Sequence, residues 1–189
     1  KREWFIRWTD FYDDVVEAIR GADQPYFVWV FLLDSHQPYI APRAYRSESS
    51  APGMYYATLR ELLTADGSIP GHVDSGLRRA YRDAVRSVDG FLARLRKDCR
   101  GDDPAFVVHA DHGEGFGEHG TYGHGRQLYR ENLHVPLVVH DGAVAGRVSA
   151  PVSLRALPRM LEAIASREAF DPLAFTADYA YSTTEDERA

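Results

Sequence analysis

The chain has 189 residues, of which 44% are hydrophobic and 26% are charged, a composition typical of one globular domain with a sizeable core. Its 28 acidic and 22 basic residues give a formal net charge of −6 at pH 7, which argues against a nucleic-acid backbone as a partner. No apolar run approaches the ~20 residues of a membrane helix, and the single cysteine, Cys99, excludes an intrachain disulfide. The chain opens at Lys1 with neither a starting methionine nor a signal peptide, so missing targeting signals say little about its compartment.

The first half of the chain alternates helical and strand-like patterns. Apolar spacing predicts a helix over Thr9–Arg20, capped by its first residue and stopped by Gly21. Tyr26–Leu33 is uninterrupted, aromatic and β-branched, which predicts a strand buried on both faces. Residues 38–72, rich in Pro, Ser, Gly and Tyr, are interpreted as a long functional loop. Asp74–Lys97 repeats apolar residues at helical spacing and predicts a long helix.

The second half continues the alternation. Ala105–Ala110 and Val135–Val139 are short apolar runs that predict strands, and Ser153–Ser166 predicts a helix. Leu173–Ser182 is an ambiguous last strand. This order predicts an α/β class, with a layered α/β/α architecture and a mostly parallel sheet. We expect the two apolar runs at Tyr26–Leu33 and Ala105–Ala110 to be neighbouring or near-neighbouring parallel strands, with the long helix as their crossover.

Histidine and glycine are concentrated in one part of the chain. Six of the eight histidines lie between His109 and His140, and six of the fifteen glycines lie between Gly113 and Gly125. Because glycine adds little to a core, tight backbone turns are expected to position the polar side chains of this stretch. Those side chains are of types that bind metals or transfer protons: Asp111, His112, Glu114, Glu118, His119 and His124.

Two predicted strands end in an Asp and a His, namely Asp34 with His36 and Asp111 with His112. Adjacent residues of a regular strand point to opposite faces, so the second pair can share an ion only where the strand breaks into a loop, as Gly113 permits. Ligands of open α/β sheets bind beyond the carboxyl ends of the strands. The sequence therefore predicts one site at that edge, with the members His36, Asp111 and His112.

Each of these residues also has an ordinary interpretation. An Asp-His pair is more often a turn than a metal site, and Glu114 and Glu118 are also consistent with solvated loop charges. His109 lies inside a predicted strand, which favours a position in the core or behind a ligand. On spacing alone, His124 in its Gly-His-Gly setting is as consistent with a solvent-facing loop as with catalysis.

Several stretches together resemble the sulfatase family of the sulfatase/alkaline-phosphatase superfamily. Asp111–Glu118 (DHGEGFGE), Tyr122–Gly125 (YGHG) and Asn132–Val138 (NLHVPLV) resemble the family's segment from its second metal-ligand pair to its next strand. Asp34–Tyr39 (DSHQPY) resembles the family's His-x-Pro element, and the match covers most of residues 22–165. The resemblance implies an alkaline-phosphatase-like fold and a metal-dependent hydrolase of sulfate or phosphate esters.

The resemblance also implies roles for individual residues. Asp111 and His112 match metal ligands, whereas His36 and His124 match catalytic groups that bind the transferred sulfate or phosphate and the leaving group. The imidazole of His112 suits zinc or manganese better than calcium, because calcium is usually bound by oxygen atoms alone. Calcium is the remaining alternative. The expected partners are the ester substrate and a missing upstream part of the same chain.

The resemblance further implies that residues 1–189 are a partial catalytic domain. The family's nucleophile and its other acidic metal ligands lie upstream of the matched stretches, and Cys99 fits no modification motif. Ala156–Arg159 (ALPR) stands where the family has an acid and a threonine. We therefore expect the fragment alone to be inactive. The alternatives are a phosphoethanolamine- or glycerol-phosphate-type transferase and a degenerate domain that binds without catalysis.

Overall fold

The computed structural model describes residues 6–47, 69–99, 104–125, 127–141, 145–166 and 170–178. Helices and strands follow in the order α1 (Tyr12–Gly21), α2 (Gly71–Asp98), β1 (Phe106–His109), β2 (Gly115–Phe116), β3 (Tyr122–Gly123), α3 (Arg130–Leu133), β4 (Leu137–His140) and α4 (Leu157–Ala165). Short 3-10 helices lie at Trp8–Asp10, Arg43–Tyr45, Leu154–Ala156 and Pro172–Phe175. The chain divides into two compact units, Lys1–Asp102 with Phe116–Tyr122, and Asp103–Gly115 with Gly123–Ala189. No helix of the described ranges is both long enough and apolar enough to cross a membrane.

Helix α2 organises the first unit and confirms the helix predicted over Asp74–Lys97. Its buried residues recur at intervals of three and four, so they form one stripe along the helix. That stripe consists of Leu77, Ala80, Ala84, Ser87, Phe91 and Leu95. Helix α1 confirms the helix predicted over Thr9–Arg20, but it begins after Phe11, and Thr9 lies in the preceding 3-10 turn.

Trp8 anchors the N-terminal turn on α2. Its ring lies edge-to-face against those of Phe91 and Tyr12, with ring centroids 5.7 Å and 5.6 Å apart, respectively. The indole Nε1 donates a 2.8 Å hydrogen bond to the buried Ser87 hydroxyl, and the Trp8 backbone N–H donates to Asp34 Oδ2 at 3.1 Å. Burial raises the pKa of the Asp34 carboxyl above its ordinary value. Asp34 thus holds the N-terminal turn in place.

The hairpin tip at residues 116–122 packs on α2 through Arg78, Tyr122 and the ring of Phe116. The Arg78 guanidinium donates to the Phe116 carbonyl and forms ion pairs with Asp74 at 2.9 Å and Glu118 at 3.3 Å. The Tyr122 hydroxyl donates to the other Asp74 oxygen at 3.2 Å. Beneath these polar contacts lies a buried apolar cluster of Tyr39, Ile69, Leu77, Ala80, Ala84 and Phe116.

Replacing Glu118 with glutamine should make folding less dependent on pH. Partial burial raises the pKa of Glu118, but the Phe116 N–H and the Arg78 guanidinium outweigh it, so the pKa lies below the ordinary 4.5. Stability from the carboxylate is therefore present above that value and lost as the pH falls below it. In urea unfolding, we expect Glu118→Gln to lower the unfolding free energy by about 1 kcal/mol or less at pH 7. The difference between variant and wild type should disappear once the pH lies below the lowered pKa of Glu118, and a difference that is equal at neutral and acidic pH would contradict the ion pair.

The second unit is built on an antiparallel pair of strands. β1 pairs with β4, with Phe106 opposite His140 and His109 opposite Leu137. These strands confirm the predicted strand positions at Ala105–Ala110 and Val135–Val139. The parallel pairing was predicted between Tyr26–Leu33 and Ala105–Ala110. In the described ranges β1 has β4 as its neighbour instead, and this pair is antiparallel.

Tyr26–Leu33 is not a strand in the structure, which corrects the prediction of a doubly buried one. The segment has no ladder partner among the described residues. Its alternate side chains are exposed, by 71% at Phe27, 75% at Trp29 and 61% at Phe31. A continuous apolar run predicts a central strand only when neighbours flank it on both sides, and the described part of the chain supplies none.

The C-terminal prediction is half right. The helix predicted over Ser153–Ser166 is present as the Leu154–Ala156 turn followed by α4. The strand predicted over Leu173–Ser182 is wrong where described, because Pro172–Phe175 is a 3-10 helix that ends in a single bridge between Thr176 and Val152. Of the predicted loop at 38–72, residues 48–68 lie outside the described ranges.

Candidate functional site

Asp111 and His112 lie directly beyond the end of β1. The carboxylate of Asp111 accepts the His112 backbone N–H at 3.0 Å, which tightens the turn. Its second oxygen, Oδ2, lies 3.9 Å from His112 Nε2, and the Asp111 side chain is 64% exposed. The break in the strand therefore brings two ligand-type atoms to the same side, as the sequence predicted.

Gly113 is required by a close approach to α3. Its N–H donates to the Asn132 carbonyl at 2.8 Å, and a Cβ added at this position would overlap the carbonyl oxygen of Glu131. The Asp111–Gly113 turn is thus fixed against the start of the segment that leads to β4.

Substituting alanine for Gly113 should displace this turn. Because the added methyl group meets backbone and not a flexible side chain, the backbone must move, at a cost of about 1–3 kcal/mol. We expect Gly113→Ala to lower the thermal midpoint and to shift the NMR resonances of His112 and Asn132. The matched control is Gly146→Ala, where an added Cβ meets nothing within 4 Å. An unchanged midpoint in Gly113→Ala would contradict the described packing.

His124 stacks on His112, although 12 residues separate them in the sequence. The ring centroids are 3.8 Å apart, and the planes differ by 26°. Two glycines with positive φ, Gly123 at 89° and Gly125 at 134°, flank His124. Residues with a Cβ rarely adopt these φ values, so the glycines on both sides of His124 allow the backbone to place its ring here. The side chain is 18% exposed, which corrects the solvent-facing interpretation.

Glu114 completes the cluster as a buried carboxylate. Its side chain is 5% exposed, and Oε1 lies 3.0 Å from His124 Nδ1. The sequence alone could not separate this role from a solvated charge, because the contact depends on the chain returning at His124. The only sequence signal is that Glu114 belongs to the same glycine-rich stretch as the two histidines.

All three predicted site histidines use Nδ1 in the same way. His36 Nδ1 lies 2.8 Å from the Gln37 carbonyl, and His112 Nδ1 lies 2.9 Å from the Gly113 carbonyl. Carbonyl and carboxylate oxygens only accept, so Nδ1 carries the proton in each ring, including that of His124. In the neutral ring this arrangement leaves the lone pair on Nε2.

The structure brings together three of the four predicted residues, Asp111, His112 and His124. His36 belongs to the first unit, where its backbone N–H donates to Leu33 and its carbonyl accepts the Tyr39 N–H. Its convergence with the other three stays a prediction.

Other candidates have different roles. Glu118 is engaged with Arg78, and His119 is exposed at the hairpin tip. His109 is exposed on β1, so its predicted core position is wrong.

The donor set of the cluster fits part of a metal site. Two ligands at ordinary zinc distances lie roughly 3–3.5 Å apart, so the 3.9 Å between Asp111 Oδ2 and His112 Nε2 needs only a small rotation. One anionic oxygen and one imidazole nitrogen are suitable donors for zinc or manganese. No group of three or more His, Cys, Asp or Glu side chains with metal-site geometry occurs in the described ranges. The pair therefore fits as two ligands of a larger set.

Comparisons with known proteins agree with these observations. Residues 3–161 match the sulfatase family, and no curated protein gave a significant match. A solved structure, the phosphonate monoester hydrolase of Agrobacterium radiobacter, is similar with a TM-score of 0.53 and 23% identity. The match covers 69% of this chain and 32% of that chain, so this chain spans about a third of that enzyme's length. The chain belongs to the sulfatase family and has the α/β fold of alkaline-phosphatase-like hydrolases.

Proposed function

We propose that this chain is part of a metal-dependent enzyme that hydrolyses sulfate or phosphate esters. Asp111 and His112 are the metal ligands that the chain contributes, and His124 and His36 are the groups that act on the substrate. The family is one of ester hydrolases whose wider superfamily generally uses a divalent ion. The similar structure is named for phosphonate monoesters, and these are a further candidate substrate beside sulfate and phosphate esters.

One observation carries this proposal, the arrangement of His124 beside the Asp111–His112 pair. Its ring is stacked at 3.8 Å on His112, and its Nδ1 is held by the buried Glu114. A surface turn would not need a buried carboxylate and two positive-φ glycines to orient one imidazole. The arrangement favours a working site over a solvated loop.

The proposed residues divide the chemistry between them. A bound divalent ion would supply positive charge against the transferred group and lower the pKa of the nucleophile. In the protonated ring, His124 Nε2 donates a proton to the leaving oxygen or a hydrogen bond to the transferred group. His36 Nε2 orients the ester, because its Nδ1 is occupied by the Gln37 carbonyl.

The rest of the catalytic domain, including the nucleophile, is proposed to come from polypeptide outside residues 1–189. Tyr26–Leu33 supports this, because its exposed aromatic side chains and its strand-like sequence suit a strand that needs neighbours. The coverage of 32% of the similar hydrolase is consistent with a partner region of considerable size.

The test is ester turnover by the whole protein that contains this chain, with the 189-residue chain as the matched control. The substrates are nitrophenyl esters of sulfate, phosphate and a phosphonate. We expect the whole protein to hydrolyse at least one of them, to lose activity with a chelator and to regain it with zinc or manganese. The chain alone should hydrolyse none. Absence of turnover with all three esters, or turnover that a chelator leaves unchanged, would contradict the proposal.

A further inference from the structure

The contact between the Glu114 carboxylate and His124 Nδ1 points to a role for Glu114, a residue outside the predicted site. Its carboxylate is almost fully buried and lies 3.0 Å from His124 Nδ1. Burying a carboxylate is costly unless hydrogen bonds or charges offset the loss of water, so this position needs a reason. The His124 ring is one described partner that offsets it.

We propose that Glu114 is a positioning residue that keeps His124 in the Nδ1–H tautomer and aims Nε2 at the substrate. This inference rests on the proposed function for its catalytic consequence. An ionised carboxylate accepts hydrogen bonds and cannot donate, so the contact requires a proton on Nδ1. Neutral imidazole then has its lone pair on Nε2, and the protonated ring has Nε2–H at the same position. In both states Nε2 is the atom that exchanges a proton with the substrate.

Two neighbouring features make the orientation specific. The His112 ring stacks on one side of His124, with the ring centroids 3.8 Å apart, which limits tilting of the imidazole. Gly123 and Gly125 set the backbone on both sides, so the side chain enters from one direction. One rotation of the ring remains, the flip of about 180° around χ2 that exchanges Nδ1 with Cδ2. The contact with the Glu114 carboxylate fixes it.

The first test reads the tautomer by NMR and needs no turnover. Long-range proton–nitrogen correlation spectra of the ¹⁵N-labelled 189-residue chain are recorded at a pH where imidazole is neutral. The His124 signals are identified by their loss in His124→Asn. We expect Nδ1–H in the wild type and a mixture with, or conversion to, Nε2–H in Glu114→Ala. The matched control, Glu118→Ala, removes a carboxylate that pairs with Arg78 and should leave the His124 tautomer unchanged.

Two results would overturn the positioning role. One is an Nε2–H tautomer of His124 in the wild type, which decides the matter even where Glu114→Ala does not fold. The other is an unchanged Nδ1–H signal in a folded Glu114→Ala chain, with folding judged from the amide signals of β1 and β4.

The second test measures catalysis in the whole protein with a double-mutant cycle. On an ester with a poor leaving group, we expect Glu114→Ala to lower kcat by roughly 10–100-fold with little change in KM. In a His124→Ala background the same substitution should cost almost nothing, because Glu114 acts through that ring. An equal loss in both backgrounds would overturn the positioning role. The expected tautomer shift without any loss of turnover would uphold the positioning role and contradict the function proposed for His124.

Discussion

Replacing His124 with alanine should lower turnover far more for an ester with a poor leaving group than for a nitrophenyl ester. A poor leaving oxygen needs a proton as the bond breaks, whereas a nitrophenolate leaves without one. General acid catalysis is typically worth ~10²–10⁴-fold, and we expect His124→Ala to lose a rate factor of that order on an alkyl ester. The loss on the nitrophenyl ester should be much smaller. The measurement is kcat on both substrates in the whole protein.

The matched control for this variant is His119→Ala. His119 lies exposed at the hairpin tip of the same glycine-rich stretch, and its replacement should leave both rates almost unchanged. Equal small losses on the two esters in His124→Ala would mean that His124 is not the acid. Equal large losses would assign it to binding of the transferred group instead.

Replacing Asp111 with alanine should weaken metal binding by on the order of 10²-fold or more in the whole protein. Loss of a residue that only supports a ligand already costs roughly 10–100-fold, and Asp111 supplies a charged ligand atom. Its Oδ2 lies beside His112 Nε2, so the variant leaves the imidazole as the single donor of the pair. Titration calorimetry with zinc and manganese measures the change, with Asp141→Ala, an exposed aspartate just after β4, as control.

The 189-residue chain should bind the same ions only weakly. The described residues offer a pair of ligand atoms and no larger metal-binding group, whereas a tight site needs about four or more ligands. Submicromolar affinity in this chain that survives Asp111→Ala would refute the assignment of the ligand pair.

Local patterns predicted the elements whose partners lie nearby in the sequence. The stripe of α2 follows helical spacing, and its 28 residues include the predicted range. β1 and β4 were also located correctly, because short apolar runs bounded by turns carry their own signal. Asp111 and His112 could be predicted as a pair because Gly113 follows them, and the close approach of Glu131 shows why no larger residue fits there.

Features that depend on distant partners could not be predicted. Tyr26–Leu33 has the composition of a buried strand, but burial depends on neighbouring strands that the described residues do not contain. Glu114 and Glu118 are equivalent in sequence terms, four residues apart in one glycine-rich stretch. The fold separates them by pairing the first with His124 and the second with Arg78. The antiparallel choice of β1 likewise depends on tertiary pairing that apolar periodicity does not encode.

The most direct test of the proposed metal site is a crystal structure of the whole protein grown with manganese or zinc, with anomalous diffraction used to locate the ion. We predict an anomalous peak within about 2.0–2.3 Å of Asp111 Oδ2 and His112 Nε2. His124 should keep its contact with Glu114 and present Nε2 toward the space beside the ion. A peak bound by neither Asp111 nor His112, or a fully occupied ion elsewhere with this pair left in solvent, would contradict the account.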